Sequence, residues 1–539
     1  MESLALDHPT VLRASAARHD GALRWLVAFL LTGIFCALQI NQSLMMGSLA
    51  LPPTYDAVSY YVNAATLLRI FHVSGFSEVL SAFFRSPPHS PLSTGLALVG
   101  FSIFGIKNWV GSVANACVAF FFVRAFLETA KRLPIGQGTM LAIALLGFPL
   151  AGLSIIDFRP DIICGLLIAS GTLFILLRES WIYSRTEQLI AGILFGSALW
   201  TKPTVFPFTV VLFSLAIMLA NFGSPRGEAK NVLKAGLVTS GIAVLISLPY
   251  YALKLPEVIT YIWNTAFGSQ ASIWVKQIPI KENVLFYLTE HYGRISLGDW
   301  LYMGFLLGAA IILVAWWKND RHLLIRVIRV ATLVVLAYGL VTVPEFKGPH
   351  GFPFAAIFLG ATALACVGLA GFGRTFGWAL CTTLVFFSIW QFTWPFQSSY
   401  QTIVSPEYAR SRWDMLYQTL RAIGHDAAGK TVFQTTPQSY LNETVLAFEY
   451  YARGLIPPII EQAQVDDKEL QERIATIDIV LALTPDSGEV FAHLATASSD
   501  FRAQIIQLTE ASGQFALPIR VPDPGGGALL IYKRASAVR

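Results

Sequence analysis

The chain has 539 residues, of which 55% are hydrophobic and only 13% charged, with a formal net charge of +5. Soluble chains carry about 25% charged residues, so too few charges are present to solvate a globular surface of this size, and a disordered, collagenous or disulfide-rich secreted chain is excluded as well. The composition is that of a polytopic membrane protein; its basic residues are dispersed between apolar runs, which argues against a nucleic-acid partner and marks them as topology determinants.

The segment 1–22 is polar, holds Arg13 and Arg18, and is expected in the cytoplasm. The first apolar run, Leu23 to Leu44, is long enough to span a bilayer. It is too long for a signal-peptide core and ends without a cleavage site, so it reads as an uncleaved first helix. A first outer loop, 45–107, follows in short aromatic pieces interrupted by prolines. Its last piece, PLSTGLALVGFSIFG, is too short to cross comfortably and is placed as a helix lying on the outer face.

Further spans are predicted near 108–127, 139–156, 162–177, 187–201, 204–221, 235–251, 299–317, 327–343, 352–372 and 376–395. With the first helix that makes about 11 spans by the length criterion. The loops assigned to the cytoplasm hold Lys131 and Arg132, Arg178 and Arg185, Arg226 with Lys230 and Lys234, Lys318 with Arg321, Arg326 and Arg329, and Arg374. That bias is consistent along the chain and would reverse if the proline-flanked piece crossed. The odd count leaves the C-terminus outside.

The region 397–539 has soluble composition. Strands are predicted at KTVFQTT, IDIVLAL and ALLIYK, and helices around Tyr440–Arg453, Asp467–Ile474 and Glu489–Gln507, which describes a small extracytoplasmic α/β domain. Gly525–Gly527 precedes a strand and opens no helix, so it is a turn and not a dinucleotide loop. The five cysteines, Cys36, Cys117, Cys164, Cys366 and Cys381, sit singly in apolar runs as small buried hydrophobes, with no metal-site spacing.

The predicted helix centres lack ionisable side chains, and charged groups collect where helices meet the outer face. A coupled transporter needs such groups at membrane depth, so the layout places a site at the outer boundary. Four clusters share that plane. Asp56 lies in Pro53-Thr54-Tyr55-Asp56-Ala57 and is either a helix cap or a base. Arg85-Ser86-Pro87-Pro88-His89-Ser90-Pro91 is either a proline-rich helix entry or a rigid loop presenting Arg85 and His89 to an anionic headgroup. Asp157-Phe158-Arg159-Pro160-Asp161 holds two acids and an Arg, more charge than capping requires; Pro160 would end one helix and Asp161 would cap the next. In Trp200-Thr201-Lys202-Pro203, Lys202 either snorkels or contacts a phosphate. Glu345, Lys347 and His350 add charge at the same face, where Glu345 and Lys347 would otherwise pair with each other. No cluster has metal-ligand spacing.

With these motifs the membrane part, roughly 20–395, resembles the GT-C superfamily of membrane glycosyltransferases, in the branch of protein O-mannosyltransferases and the lipid A aminoarabinose transferase. The resemblance is carried by Asp56, by His89-Ser90-Pro91-Leu92 with its helix ending at Phe104-Gly105, by Asp157 to Asp161, by Thr201-Lys202 and by Lys347 to Pro353. Asp56 is followed by Ala57 where the family often has a second acid, and Ser90 stands where Pro is usual. The C-terminal α/β domain has no counterpart in the resemblance.

The resemblance implies a GT-C-like membrane domain, 23–396, and an inverting transfer of one sugar from a polyprenyl-phosphate donor to a glycolipid, polysaccharide or protein acceptor at the outer face of a bacterial inner membrane. Asp56 is the expected base. Arg159, Lys202 and His89 are expected at the donor phosphate, and Asp157 and Asp161 at the sugar or acceptor. Arg85, Glu345, Lys347 and His350 are further candidates for the site. No metal or cofactor is expected, and the remaining partners are membrane lipids. The alternatives are a polysaccharide polymerase or ligase of another fold, whose essential residues would lie in a late outer loop, and a non-enzymatic flippase or transporter, which needs a polar path through the bilayer.

Overall fold

The computed structural model describes residues 8–85, 89–130, 133–146, 149–222, 228–269, 321–342, 403–435, 438–462, 472–488 and 498–535, with a few further residues between 271 and 386; within α1 the side chains are described from residue 21 on. The described helices up to the middle of the chain are α1 (His8–Met46), α2 (Tyr55–Ser74), α3 (Phe76–Arg85), α4 (Pro91–Phe104), α5 (Val110–Thr129), α6 (Ile135–Leu146), α7 (Pro149–Ile156), α8 (Pro160–Leu177), α9 (Arg185–Thr201), α10 (Phe206–Asn221), α11 (Ala229–Ala266) and α12 (Arg321–Thr342). Three described helices are long and apolar enough to cross a membrane: Gly21–Met46 within α1, α5 and α11. Shorter apolar helices include α4, α6, Ile163–Leu177 of α8, and α10. The protein is therefore helical and multi-pass, with a small C-terminal sheet.

Two predicted spans differ from the structure. The run 139–156 is two helices, because Pro149 occupies the first turn of a new one. The run 235–251 belongs to a helix of 38 residues that continues through Pro249 and Pro256. An internal proline removes one helical hydrogen bond without obliging the chain to stop when packing holds it. The predicted spans at 299–317, 352–372 and 376–395 lie almost wholly outside the described residues.

The chain divides into two compact bodies. The first contains residues 1–39, 84–93 and 112–401. Here α8, α9 and α11 pack closely through small residues. A Cβ on Gly171 would stand 2.5 Å from the Phe195 ring, and one on Gly192 would stand 2.8 Å from the Thr239 carbonyl oxygen of α11. Gly196 makes the same kind of approach to Ala243, so α9 presents a small-xxx-small face that lets backbones come together in lipid. Ser184 caps α9 by accepting from the Glu187 amide at 3.3 Å, three residues on. The same Glu187 joins Glu128 on Arg178, and Arg124 holds Glu128 at 2.8 Å. This ion network fixes one end of α5, α8 and α9. The charged site described below lies at their other end.

The second body contains 40–83, 94–111 and 402–539. Its sheet has the order β2-β1-β3-β5-β4, built from β1 (Thr431–Gln434), β2 (Ile459–Gln462), β3 (Ile479–Leu483), β4 (Ile519–Pro522) and β5 (Ala528–Lys533). β1 runs parallel to β2 and β3, and β5 antiparallel to β3 and β4. Helices α13 (Pro406–Ile423), α14 (Glu443–Ala452) and α15 (Ser499–Ala511) pack with it. Every residue of β3 is buried, and Phe433, Ile477, Val480, Phe501, Ile505 and Tyr532 form the core. Gly525–Gly527 is the turn of the β4–β5 hairpin, as predicted; Gly526 and Gly527 hold φ of 106° and 72°, where a side chain would be strained.

The three predicted strands are β1, β3 and β5, and two of the predicted helices correspond to α14 and α15. β2, β4 and α13 are additional. Most of the helix predicted at 467–474 lies outside the described residues. Cys36, Cys164 and Cys381 are buried free thiols as expected, whereas Cys117, on α5, is exposed. Cys366 lies outside the described residues.

Candidate functional site

The charged end of the first body is built on two helix termini. α7 ends at Ile156, and Pro160 opens α8, with Arg159 in extended conformation as its N-cap residue. Pro160 thus starts a helix and does not end one, and Asp161 lies inside the first turn and is not the cap. Across from it α9 ends at Thr201, with Lys202 as its C-cap residue. An acid in a first turn and a cation at a C-terminus each suit the local helix dipole.

The structure sorts the four charges into two pairs. Asp157 Oδ2 accepts from Arg159 Nε at 2.7 Å and also from an Nη of the same guanidinium, while Oδ1 accepts from the Arg159 backbone amide at 3.1 Å. Asp161 pairs with the Lys202 Nζ. The Asp161–Lys202 pair is buried, while 40% of the Arg159 side chain is exposed. Lys202 does not snorkel, because a buried carboxylate holds it, and Arg159 is ion-paired with Asp157.

Neighbouring polar groups fix these turns. Asn115, buried on α5, donates its Nδ2 to the carbonyls of Ile155 and Asp157 at 3.1 and 2.9 Å. Ser90, also fully buried, places its hydroxyl 2.5 Å from the Thr201 carbonyl and 2.8 Å from the Ser93 hydroxyl. The His89-Ser90-Pro91 element is therefore tied to the Thr201-Lys202 turn, and the exposed His89 ring lies 5.9 Å from that of Tyr261. Tyr251 donates to the Leu199 carbonyl at 3.2 Å. Among the described residues, the buried Asn115 Oδ1 and Trp200 Nε1 have no hydrogen-bond partner.

Asp56 belongs to the second body. It is the second residue of α2, whose N-cap position is Thr54, so the cap lies two residues before Asp56. A carboxylate there still suits the helix dipole. Arg85 is the last residue of α3 and exposed. Glu345, Lys347 and His350 lie outside the described residues. Sequence reading missed Asn115 and the role of Ser90. An Asn inside an apolar run was the available signal for the first; the second depends on a contact 111 residues away and left none.

Comparison with known proteins places the fold. No protein-family model and no curated sequence matches the chain. The chain is similar to the crystal structure of ArnT from Cupriavidus metallidurans in the apo state, at 13% identity and a TM-score of 0.61, over 95% of this chain and 98% of that one. It is similar also to the same protein bound to undecaprenyl phosphate, at 12% identity and a TM-score of 0.59, over 94% and 98%. The GT-C resemblance read over roughly 20–395 holds as a likeness of fold, and the likeness covers 95% of the chain, further than the motifs reached.

Proposed function

We propose that the protein is an inverting membrane glycosyltransferase that takes a sugar from a polyprenyl-phosphate donor. The observation that carries the reading is the likeness of fold, over nearly the full length of both chains, to a protein whose structure holds undecaprenyl phosphate. The reading includes about 11 spans by the length criterion, a cytoplasmic N-terminus, and an extracytoplasmic α/β domain from about residue 397, in a bacterial inner membrane.

In this reading Asp56 takes the proton of the acceptor hydroxyl. The acceptor oxygen bonds the anomeric carbon from the face opposite the phosphate. The carbon–oxygen bond to the phosphate breaks, and its electron pair leaves with polyprenyl phosphate. Arg159, half exposed and oriented by Asp157, is the first candidate for the leaving phosphate, since a guanidinium fork suits phosphate oxygens. Lys202 lies in the neighbouring turn with its charge shared by Asp161, and His89 enters through the Ser90 tie. Asp157 and Asp161 act on the sugar through the cations they hold. No metal role is assigned.

The test is mass spectrometry of envelope glycolipids, glycans and glycoproteins from a strain lacking the protein. One sugar is expected to disappear from one acceptor while its polyprenyl-phosphate donor accumulates. An unchanged glycan profile with no donor accumulation would overturn the reading.

A further inference from the structure

The α/β domain shares a compact body with the helix that carries Asp56. The connection begins in the segment that leads into α2. Three carbonyls within five residues there are taken by remote donors: Met46 accepts from the Val404 amide at 2.9 Å, Leu49 from Asn108 Nδ2 at 3.0 Å, and Ala50 from Trp413 Nε1 at 2.8 Å. Leu51 is buried against Val404 and Ala409. From this anchor the chain passes through Pro52 and Pro53, whose rings fix φ, directly to the start of α2.

Beyond Asp56 the helix is held again. The Tyr61 ring lies 5.5 Å from Phe448 of α14 and 5.6 Å from Phe101, and its hydroxyl donates to the Asn108 carbonyl at 2.9 Å. One turn further, Thr66 Oγ1 meets the Tyr451 hydroxyl at 3.2 Å. Asp56 is thus bracketed by two attachment points, both supplied in large part by α13 and α14 of the C-terminal domain. An independent appendage would have no reason to place a tryptophan N–H on a carbonyl five residues before a helix start.

We propose that the C-terminal α/β domain is a positioning device for the first turn of α2, with Trp413 as its principal positioning residue and Tyr451 as the second. The proposal rests on the reading of Asp56 as the base. It assigns the domain a role in turnover: holding the backbone of the base in register, with a two-proline arm transmitting the anchor at residues 46–51.

The experiment uses the full-length protein in detergent and hydrogen–deuterium exchange over residues 46–60. Trp413→Phe keeps the ring near Tyr417, 5.3 Å away in the native protein, and deletes the hydrogen bond to Ala50. Exchange in 46–60 is expected to rise about tenfold, the scale set by one lost hydrogen bond. The rest of the domain should keep its protection. Tyr532→Phe, which deletes a 2.9 Å bond to Glu510 inside the same domain, is expected to leave 46–60 unchanged. Where Trp413→Phe does not yield folded protein, Tyr451→Phe is measured in its place.

The same variants are then expressed in the deletion strain. Trp413→Phe is expected to lower the transferred sugar about tenfold at equal membrane abundance, and Tyr532→Phe to leave it unchanged. Unaltered exchange in 46–60, or a rise spread over the whole domain, would overturn the proposal. So would full transfer by Trp413→Phe while Asp56→Asn is inactive. Full transfer by Asp56→Asn would instead remove the base assignment, whatever the exchange data show.

Discussion

Asp161 and Lys202 sit at the facing ends of α8 and α9, and their pair is buried. Removing one partner leaves an uncompensated charge at the edge of an apolar bundle, a loss of about 3–5 kcal/mol. Asp161→Asn and Lys202→Met are each expected to lower the melting temperature in detergent by several degrees. The double variant should melt above the worse single one, because no lone charge remains. Equal additive losses would mean that the two side chains do not depend on each other. Arg159 behaves differently. Its pair with Asp157 is half exposed, so Arg159→Lys should leave melting nearly unchanged, as exposed pairs contribute only about 0–1 kcal/mol. Sugar transfer by Arg159→Lys should nevertheless fall, because an ammonium cannot reproduce the fork. Transfer at the wild-type level would reduce Arg159 to a turn-forming residue.

At the scale of elements, α9 and α11 approach through Gly192 and Gly196. A methyl on Gly192 would lie 2.7 Å from Ile242 and 2.8 Å from the Thr239 carbonyl, and backbone cannot move aside as a side chain can. Gly192→Ala is expected to cost about 1–3 kcal/mol, the range for overpacking. Gly241→Ala, on α11 with nothing within 4 Å, should be neutral or slightly stabilising. Thermal melts of the two variants measure how much this close approach contributes; equal melting of both would contradict it. The helices themselves were legible where composition alone defines them. Length and apolar runs located α5, α8, α9 and α10 to within a few residues. What escaped depends on local chemistry that hydropathy averages away. α13 is a polar helix with a buried Arg412, paired with Asp523 at 3.0 Å, so its apolar face is broken. Its Ser405-Pro406 cap and Gly424 stop were the readable signals. β2 has four residues, and β4 ends in Pro522 at the sheet edge, too short for alternation to show.

For the whole molecule, the residue types of the site were legible, and their pairing was not. Asp157, Arg159, Asp161 and Lys202 stand out as charges between apolar runs. Which acid holds which base depends on Asp157 folding back onto its own turn and on α9 ending opposite α8. The tie of the α/β domain to α2 was equally hidden, since Trp413 and Ala50 are 363 residues apart. The proposed orientation rests on the dispersed basic loops. A reporter that works only outside the cytoplasm is expected to be active when fused after Arg539 and silent near Arg226 or Arg326; a silent fusion after Arg539 would place the α/β domain on the wrong side for the proposed donor.

The central claim is that Asp56 is the base of a sugar transfer. Asp56→Asn preserves size and leaves the N-cap position to Thr54, so the helix should form and the protein should accumulate normally. The decisive measurement is mass spectrometry of the envelope of a deletion strain complemented with this variant, beside one complemented with the native protein. The native protein is expected to restore the missing sugar. The Asn variant, at equal membrane abundance, is expected to restore less by at least about 10²-fold, the lower end for a general base. Restoration by the Asn variant to the native level would contradict the account.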